Sequence, residues 1–546
     1  MKPYKSLLFL LSILAILFLI SIFYPHNGIK INNLLLKFPN YKEIFSQSKI
    51  KYANISEIIN LDNNNITTYE FDTLPAKPIS DTLKNNNLDS LRTDNDSIKT
   101  NNYKKLEKNK LYAAIQYPEN NKQLLYPFFE ELKNLKNSKQ LIRILHYGDS
   151  QIESDRITSY IRNELQKEFG GCGIGLFPPI LTKGTSLSMN HNLSGCWSRY
   201  TFQSIKNKNI NHKHLGILMS YGRFSPISNN TDNKIYNSSI ELEKSNITYL
   251  LTRKFKQCRI FYGYNKKPFI VEIKINDKIT DAEMIASSYN LKTLNWGFDK
   301  TIDNISINFK GEESPDIFGL TLDGEKGIAV DNIPLRGSSG TNFTQTDIAF
   351  LRSMFQKLNV KLILFQFGVN VVPHVIENYD YYEKQLCKQL SLLKKMRPDI
   401  NIIVMGVSDM SHNNNGIYES YPNIEKIRDA QKNAAFKSGC AFWDTYKAMG
   451  GKNSMPQWVF ANPPLARKDF THYTYKGSVI IGKLFYNALN SDYDNFIKQK
   501  AFSIKNTNDT NISDTATSKI NTKKMQTKNF EKTKTPENLK QTNITK

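Results

Sequence analysis

The sequence predicts an α/β unit built on a parallel sheet and interrupted by an all-β insertion. Three observations carry that prediction. Short apolar runs ending at polar turns alternate with helical periodicities along much of the chain. The middle of the chain breaks that rhythm into short alternating segments separated by Asn, Lys and Gly. The patterned part is flanked by polar, aperiodic stretches, and a single long apolar run opens the chain.

The chain has 546 residues, 40% apolar and 23% charged, with 20 Pro and 26 Gly. That is material for one large core or two medium ones, and it excludes a wholly disordered, a collagen-like and a disulfide-stapled chain. The net charge of +23 would suit nucleic acid if it were clustered. Only 13 of the 73 basic residues are Arg, and the Lys residues are spread among Asn, Ile, Tyr and Phe, so no nucleic-acid partner is expected.

From the N-terminus, Lys2 and Lys5 precede an unbroken apolar run, Leu7–Phe23, closed by Pro25. No small-x-small cleavage pattern follows, so residues 1–25 read as an uncleaved signal anchor, with a cleaved signal peptide as the alternative. The lysines place the remainder outside, in the periplasm of a cell with an inner membrane. Residues 26–110 and 497–546, rich in Asn, Lys, Thr, Ser and Asp, read as a disordered linker and a disordered tail.

Between them, LIRIL (141–145) ends at a Gly-Asp-Ser turn like a buried parallel strand. Ile157, Tyr160, Ile161, Leu165 and Phe169 then recur at helical spacing, with Ser154 or Asp155 as N-cap and Gly170-Gly171 as the stop. IAVDNI (328–333), KLILFQFG (361–368), NIIVMGV (401–407) and CAFWD (440–444) read as further strands. Helices are expected near 377–396, 422–437 and 474–489. Segments such as CRIFYGY (258–264), FIVEIKI (269–275) and NISINFK (304–310) mark an inserted β-sandwich over 195–323, dividing the α/β unit into 111–194 and 324–496. The five cysteines form no CxxC pair; one bridge, Cys172–Cys196, is the pairing considered.

Open α/β sheets bind ligands at the carboxyl ends of their strands, so polar residues there are the candidates. Four groups emerge: Ser150 in YGDSQIESD, Gly337 and Gly340 in RGSSGTN, Asn370 in FQFGVN, and Asp469 three residues before His472 in RKDFTHYTYKG. Each alone is an ordinary turn or cap. Their conjunction in one chain order carries the weight. His146, His212 and His214 are weaker candidates, and no metal site is expected. Trp197, Trp296 and Tyr264 could stack on sugars, with core packing as the default.

In these four blocks the sequence resembles the SGNH (GDSL-like) hydrolase superfamily over roughly 141–185 and 325–490. The resemblance implies a three-layer, flavodoxin-like domain. It also implies a Ser150–His472–Asp469 triad and an oxyanion hole made by the N–H groups of Ser150 and Gly340 and the side-chain amide of Asn370. Gln151 replaces the family's Leu, and Val371 stands where the third block often has Asp. No cofactor is required by that chemistry. A sandwich between the Ser and Gly blocks is similar to the layout of peptidoglycan O-acetylesterases, which implies an exported serine esterase acting on O-acyl, chiefly O-acetyl, groups of peptidoglycan or another envelope polysaccharide. The alternatives are a membrane-tethered polysaccharide O-acetyltransferase using the same triad, and a non-catalytic glycan-binding protein.

Overall fold

The computed structural model describes residues 3–25, 28–31, 34–36, 38, 50–60, and 113–521 apart from 182–185, 205–209, 211, 228–233, 277, 301 and 303. Its central sheet has five parallel strands: β1 (Leu141–Gly148), β2 (Gly327–Pro334), β3 (Val360–Gln366), β4 (Asn401–Met405) and β5 (Ala441–Trp443). They lie side by side in the order β2-β1-β3-β4-β5, the 2-1-3-4-5 order of flavodoxin-like sheets. Parallel strands need crossovers, and helices supply them on both faces. Because side chains alternate along a strand, Ile142 and Ile144 of β1 pack towards α2 (Thr158–Phe169) and α6 (Tyr475–Asn521). Leu145 and Tyr147 pack on the opposite face, in one core with α3 (Ile348–Lys357), α4 (Asp380–Met396) and α5 (Ile424–Lys437). The result is a three-layer α/β/α unit.

The insertion is two antiparallel sheets, one of five strands and one of six. One orders Lys278–Ile285, Phe269–Ile275, Asn304–Gly311, Tyr236–Lys244 and Met189–Ser194; the other orders Lys292–Gly297, Gln257–Gly263, Asp316–Asp323, Ser220–Arg223 and Ser198–Thr201. Alternate residues such as Ile240, Leu242, Val271, Ile273, Ile305 and Ile307 fill the space between the sheets with Ile260 and Leu320. The sandwich begins before residue 195. Met189–Ser194 pairs with Tyr236–Lys244, and Gly175–Phe177 pairs with Asp316–Asp323. The first is a polar edge strand and the second has three residues, so neither shows an apolar alternation in sequence.

The sandwich is welded to the α/β unit. Arg143 of β1, fully buried, reaches Asp323 Oδ2 of the sandwich at 2.6 Å and Asp331 Oδ1 of β2 at 2.5 Å. Leu215, Ile217 and Leu218 join the α3 side of the core.

Three further expectations change. Part of the presumed linker is ordered against the α/β unit: residues around a short helix, Ser56–Asn60, bury Ile55 and Ile58, and Ala53 N–H donates to the Asn453 carbonyl. Earlier in that linker Ile29–Ile31 and Leu34–Leu36 pair as antiparallel strands, while residues 61–112 and the tail beyond 521 lie outside the described residues. The last helix does not stop near 489, because Tyr493 and Phe496 continue its apolar face onto Phe129 and Phe169, and it runs to Asn521 through the start of the segment expected to be disordered. All five cysteines are free. Cys172 lies against Gly324, whereas Cys196 N–H is held by Ser238 Oγ at the sandwich edge, so the Cys172–Cys196 bridge does not form.

Candidate active site

At the carboxyl end of β1 the chain turns sharply. Gly148 is required there, since a Cβ would fall 2.8 Å from the Gln366 carbonyl oxygen and 3.0 Å from Ile152. Asp149 then accepts N–H bonds from Gln151 at 3.0 Å and from Gly368 and Val369 at 3.1 and 3.4 Å, tying this turn to the end of β3. Burial pushes the Asp149 carboxyl up to about 6, although those N–H groups and the nearby His472 pull it down. Ser150 opens a 3₁₀ turn, Ser150–Asp155, ahead of α2. Ser154 and Asp155 have left-handed backbone, and neither caps α2; Asp155 instead grips Arg162. Any N–H donors offered to an anion at Ser150 are therefore those of this tight turn, not the end of a long helix dipole.

The loop between residues 466 and 473 brings the second half. Asp469 Oδ1 accepts the N–H groups of Thr471 at 3.0 Å and His472 at 2.9 Å, and its Oδ2 lies 2.9 Å from His472 Nδ1. Burial alone would raise the Asp469 carboxyl; hydrogen bonds from the His472 side chain, His472 N–H and Thr471 N–H hold it at about 2. A carboxylate can only accept, so Nδ1 carries the proton and Nε2 presents its lone pair. Nε2 faces Ser150 Oγ at 2.8 Å. Residues 322 positions apart in sequence thus form one chain, Ser150–His472–Asp469, with the His472 ring 30% and the Asp469 carboxylate 47% exposed.

Gly340 and Asn370 come together on another wall. Gly340 has left-handed backbone, and a Cβ there would lie 2.8–3.0 Å from the rings of Phe365 and Phe367, whereas Gly337 faces open space. Gly340 N–H donates to Ser338 Oγ at 3.0 Å, and Asn370 Nδ2 donates to the Ser338 carbonyl at 2.9 Å. Ser338 thus engages the Gly340 N–H and one of the two N–H groups of the Asn370 amide.

Two positioning residues were not singled out by the sequence. Gln151 Nε2 donates to the Thr471 carbonyl at 2.7 Å and to Ser408 Oγ at 3.2 Å. Arg156 donates to the carbonyls of Ser150 and Tyr473, both at 3.1 Å. Together they brace the Ser150 turn against the His472 loop. A polar residue beside the serine, where the resemblance has Leu, was the available signal.

The other candidates are structural. His146 is buried between Thr158 Oγ1 and Gln366 Oε1, and burial lowers it to about 4. His212 and His214 stack on each other, and Asp316 Oδ2 lies 3.0 Å from His212 Nε2. Among the described residues no cluster of three or more potential ligands forms a metal site. Trp197 packs on Phe224 and Phe309, Trp296 donates to Asp281, and Tyr264 stacks on His214.

No protein-family model and no curated protein matches the sequence. Among solved structures, a peptidoglycan O-acetylesterase is similar at a TM-score of 0.53 and 19% identity, covering 68% of this chain and 96% of its own. A carbohydrate esterase family 3 protein from Talaromyces cellulolyticus (TM-score 0.22, 17% identity, 30% of this chain and 72% of its own) and a GDSL-like lipase from Bacteroides ovatus (0.20, 10%, 48% and 86%) share smaller parts. The first of these, matching over 68% of this chain, shares its fold: a three-layer α/β unit interrupted by a β-sandwich.

Proposed function

We propose that the protein is an extracytoplasmic serine esterase that removes O-acyl, chiefly O-acetyl, groups from peptidoglycan or another envelope polysaccharide. The observation that carries the reading is the continuous hydrogen-bonded chain from Ser150 Oγ through His472 to Asp469. Supporting it are the likeness in fold to a peptidoglycan O-acetylesterase and the sandwich inserted between the Ser150 turn and the Gly340 loop.

A serine hydroxyl attacks an ester carbonyl effectively only when a base takes its proton. His472 Nε2 is placed to accept that proton as the Oγ–C bond forms, and to return it to the leaving sugar hydroxyl as the ester bond breaks. Asp469 holds the ring in the required tautomer and stabilises the imidazolium. The developing oxyanion is received by Ser150 N–H, the Asn370 amide and Gly340 N–H, the last once Ser338 Oγ gives it up. Water, deprotonated by His472, then cleaves the acetyl-enzyme to free acetate.

Export rests on α1 (Pro3–Phe23), whose Tyr4–Phe23 portion has a mean hydropathy of 2.9 and is 6% buried. A single-pass anchor and a signal sequence share that composition.

Acetate release from O-acetylated wall glycan, compared between wild type and Ser150→Ala, tests the proposal. Release by wild type alone is expected, with a serine-directed phosphonate labelling Ser150. Equal release by the variant, or labelling at another residue, removes Ser150 as nucleophile. Acetylated glycan accumulating from an acetyl donor faster than free acetate would make the same triad that of an acetyltransferase.

A further inference from the structure

Where the sandwich meets the α/β unit, buried guanidinium groups come with carboxylates. Arg143 has Asp323 and Asp331, Arg162 has Asp155, and Arg223 has Asp316. Arg199, half-buried on the sandwich strand Ser198–Thr201, differs from these three. Among the described residues it has no carboxylate; its Nη2 reaches Ser220 Oγ at 3.3 Å, and its Nε, like those of Arg143 and Arg223, is buried with no hydrogen-bond partner. Arg stays charged even when burial disfavours it. A desolvated cation with an unclaimed donor is a costly arrangement unless an anion completes it.

Arg199 lines a cavity of about 70 Å³. The cavity is not lined by Ser150 or His472, but it adjoins them. Glu153 and Ser154, from the 3₁₀ turn that Ser150 opens, form one wall. Pro334 forms another, and it is the register partner of Gly148, two residues before Ser150. The remaining surface is largely apolar, with Leu176, Phe177 and Pro178. Nearby, Asp155 is committed to Arg162 and Glu153 to Arg336, so this wall already holds two negative charges.

We infer that this cavity is a subsite for a single carboxylate on the glycan, bound by Arg199 and carried on a short carbon branch that the apolar walls accept. The inference rests on the esterase reading and narrows it to acidic glycans. One free guanidinium edge matches one carboxylate, and the flanking Asp155 and Glu153 disfavour a doubly charged phosphate.

The test uses O-acetylated glycan strands freed of peptides, so that each lactyl carboxylate is bare, and the same strands with those carboxylates amidated. Wild type is expected to prefer the acidic strands in kcat/KM by about 10- to 100-fold, the scale of one charge-assisted hydrogen-bonded pair. Most of the difference should lie in KM. Arg199→Gln should lose the preference and Arg199→Lys should restore part of it. A wild type indifferent to amidation, or an Arg199→Gln variant that keeps the preference, overturns the inference. Calorimetric binding of both strands to Ser150→Ala, with and without Arg199→Gln, reads the subsite without turnover. There, equal affinity for the two strands, or displacement of the acidic strand by inorganic phosphate at equal concentration, also overturns it. Failure of the esterase reading looks different: wild type would release no acetate from either strand or from p-nitrophenyl acetate, while the binding measurement would still decide the subsite.

Discussion

The two walls of the site are prepared to different degrees. On the His472 side, every group already holds the partner that the chemistry calls for, with Asp469 accepting three hydrogen bonds and Nε2 turned to Ser150. On the Gly340 side, the Gly340 N–H is taken by Ser338 Oγ, and one of the two N–H groups of the Asn370 amide by the Ser338 carbonyl. On the proposed esterase reading, proton transfer is preorganised, whereas the Gly340 N–H has an internal competitor, Ser338 Oγ, that substrate must displace. Preorganised donors act without reorganisation at the moment of reaction, so this second wall is where an arriving acyl group should change the structure.

Substitutions on the two walls should separate accordingly. Ser150→Ala and His472→Ala should each lower kcat by about 10⁴- to 10⁶-fold without shifting the melting temperature, and the double variant should be little worse than either, because the groups act as a unit. Simple addition of the two losses would break the comparison. Asp469→Asn should cost roughly 10⁴-fold, since an amide can donate to Nδ1 and stabilise the wrong tautomer. Asn370→Ala should cost about 100- to 1000-fold, in kcat more than in KM. Ser338→Ala frees Gly340 N–H and should raise kcat about fivefold, the worth of one neutral hydrogen bond; a fall would show that Ser338 positions the loop instead of occupying it.

The smallest effect expected is on stability. Burial pushes the Asp409 carboxyl up to about 6, against bonds from Ser420, Met455 and Ser454 that lower it. A carboxyl raised on folding holds its proton longer in the native state, so its contribution is full below the unfolded value near 4 and fades as pH rises through about 6. His146, lowered to about 4 by burial, acts in the opposite sense: its contribution is present above about 6.5 and lost as pH falls towards 4. Asp409→Asn should therefore tilt the melting temperature upward with pH between about 4 and 6, relative to wild type. An unchanged slope would mean that Asp409 is not protonated in the native state.

Much of this architecture was legible because it is written in local pattern. Largely apolar strands ending at GDS, at GVN and before RGSSG announce a parallel sheet with polar residues at its carboxyl ends, and Asp469-x-x-His472 fits one short loop. What sequence hides is pairing across distance. Met189–Ser194 is too polar to read as a strand until Tyr236–Lys244 lies beside it. Ile55 and Ile58 are two apolar residues in a polar stretch, and nothing local says that a surface awaits them. Arg199 looks like any other basic residue; only its half-buried place beside a cavity, without a carboxylate, distinguishes it. Gly340 was separable from Gly337 only by the rings of Phe365 and Phe367 behind it.

The segment at residues 50–60 bears on how far the enzyme can work from its mooring. Tyr52 Oη donates to the Tyr418 carbonyl, Asn453 Nδ2 to the Lys51 carbonyl, and Tyr418 stacks on Phe470 of the His472 loop at 3.6 Å. With α1 in a bilayer, the leash that matters ends at Lys51 and not at Ala113. Fully stretched at about 3.3–3.6 Å per residue, it spans no more than roughly 100 Å, against about 300 Å for the undocked chain. On the proposed function, and with α1 as an anchor, fastening those few residues would confine deacylation to the zone of wall nearest the lipid, and loosening them would triple its radius.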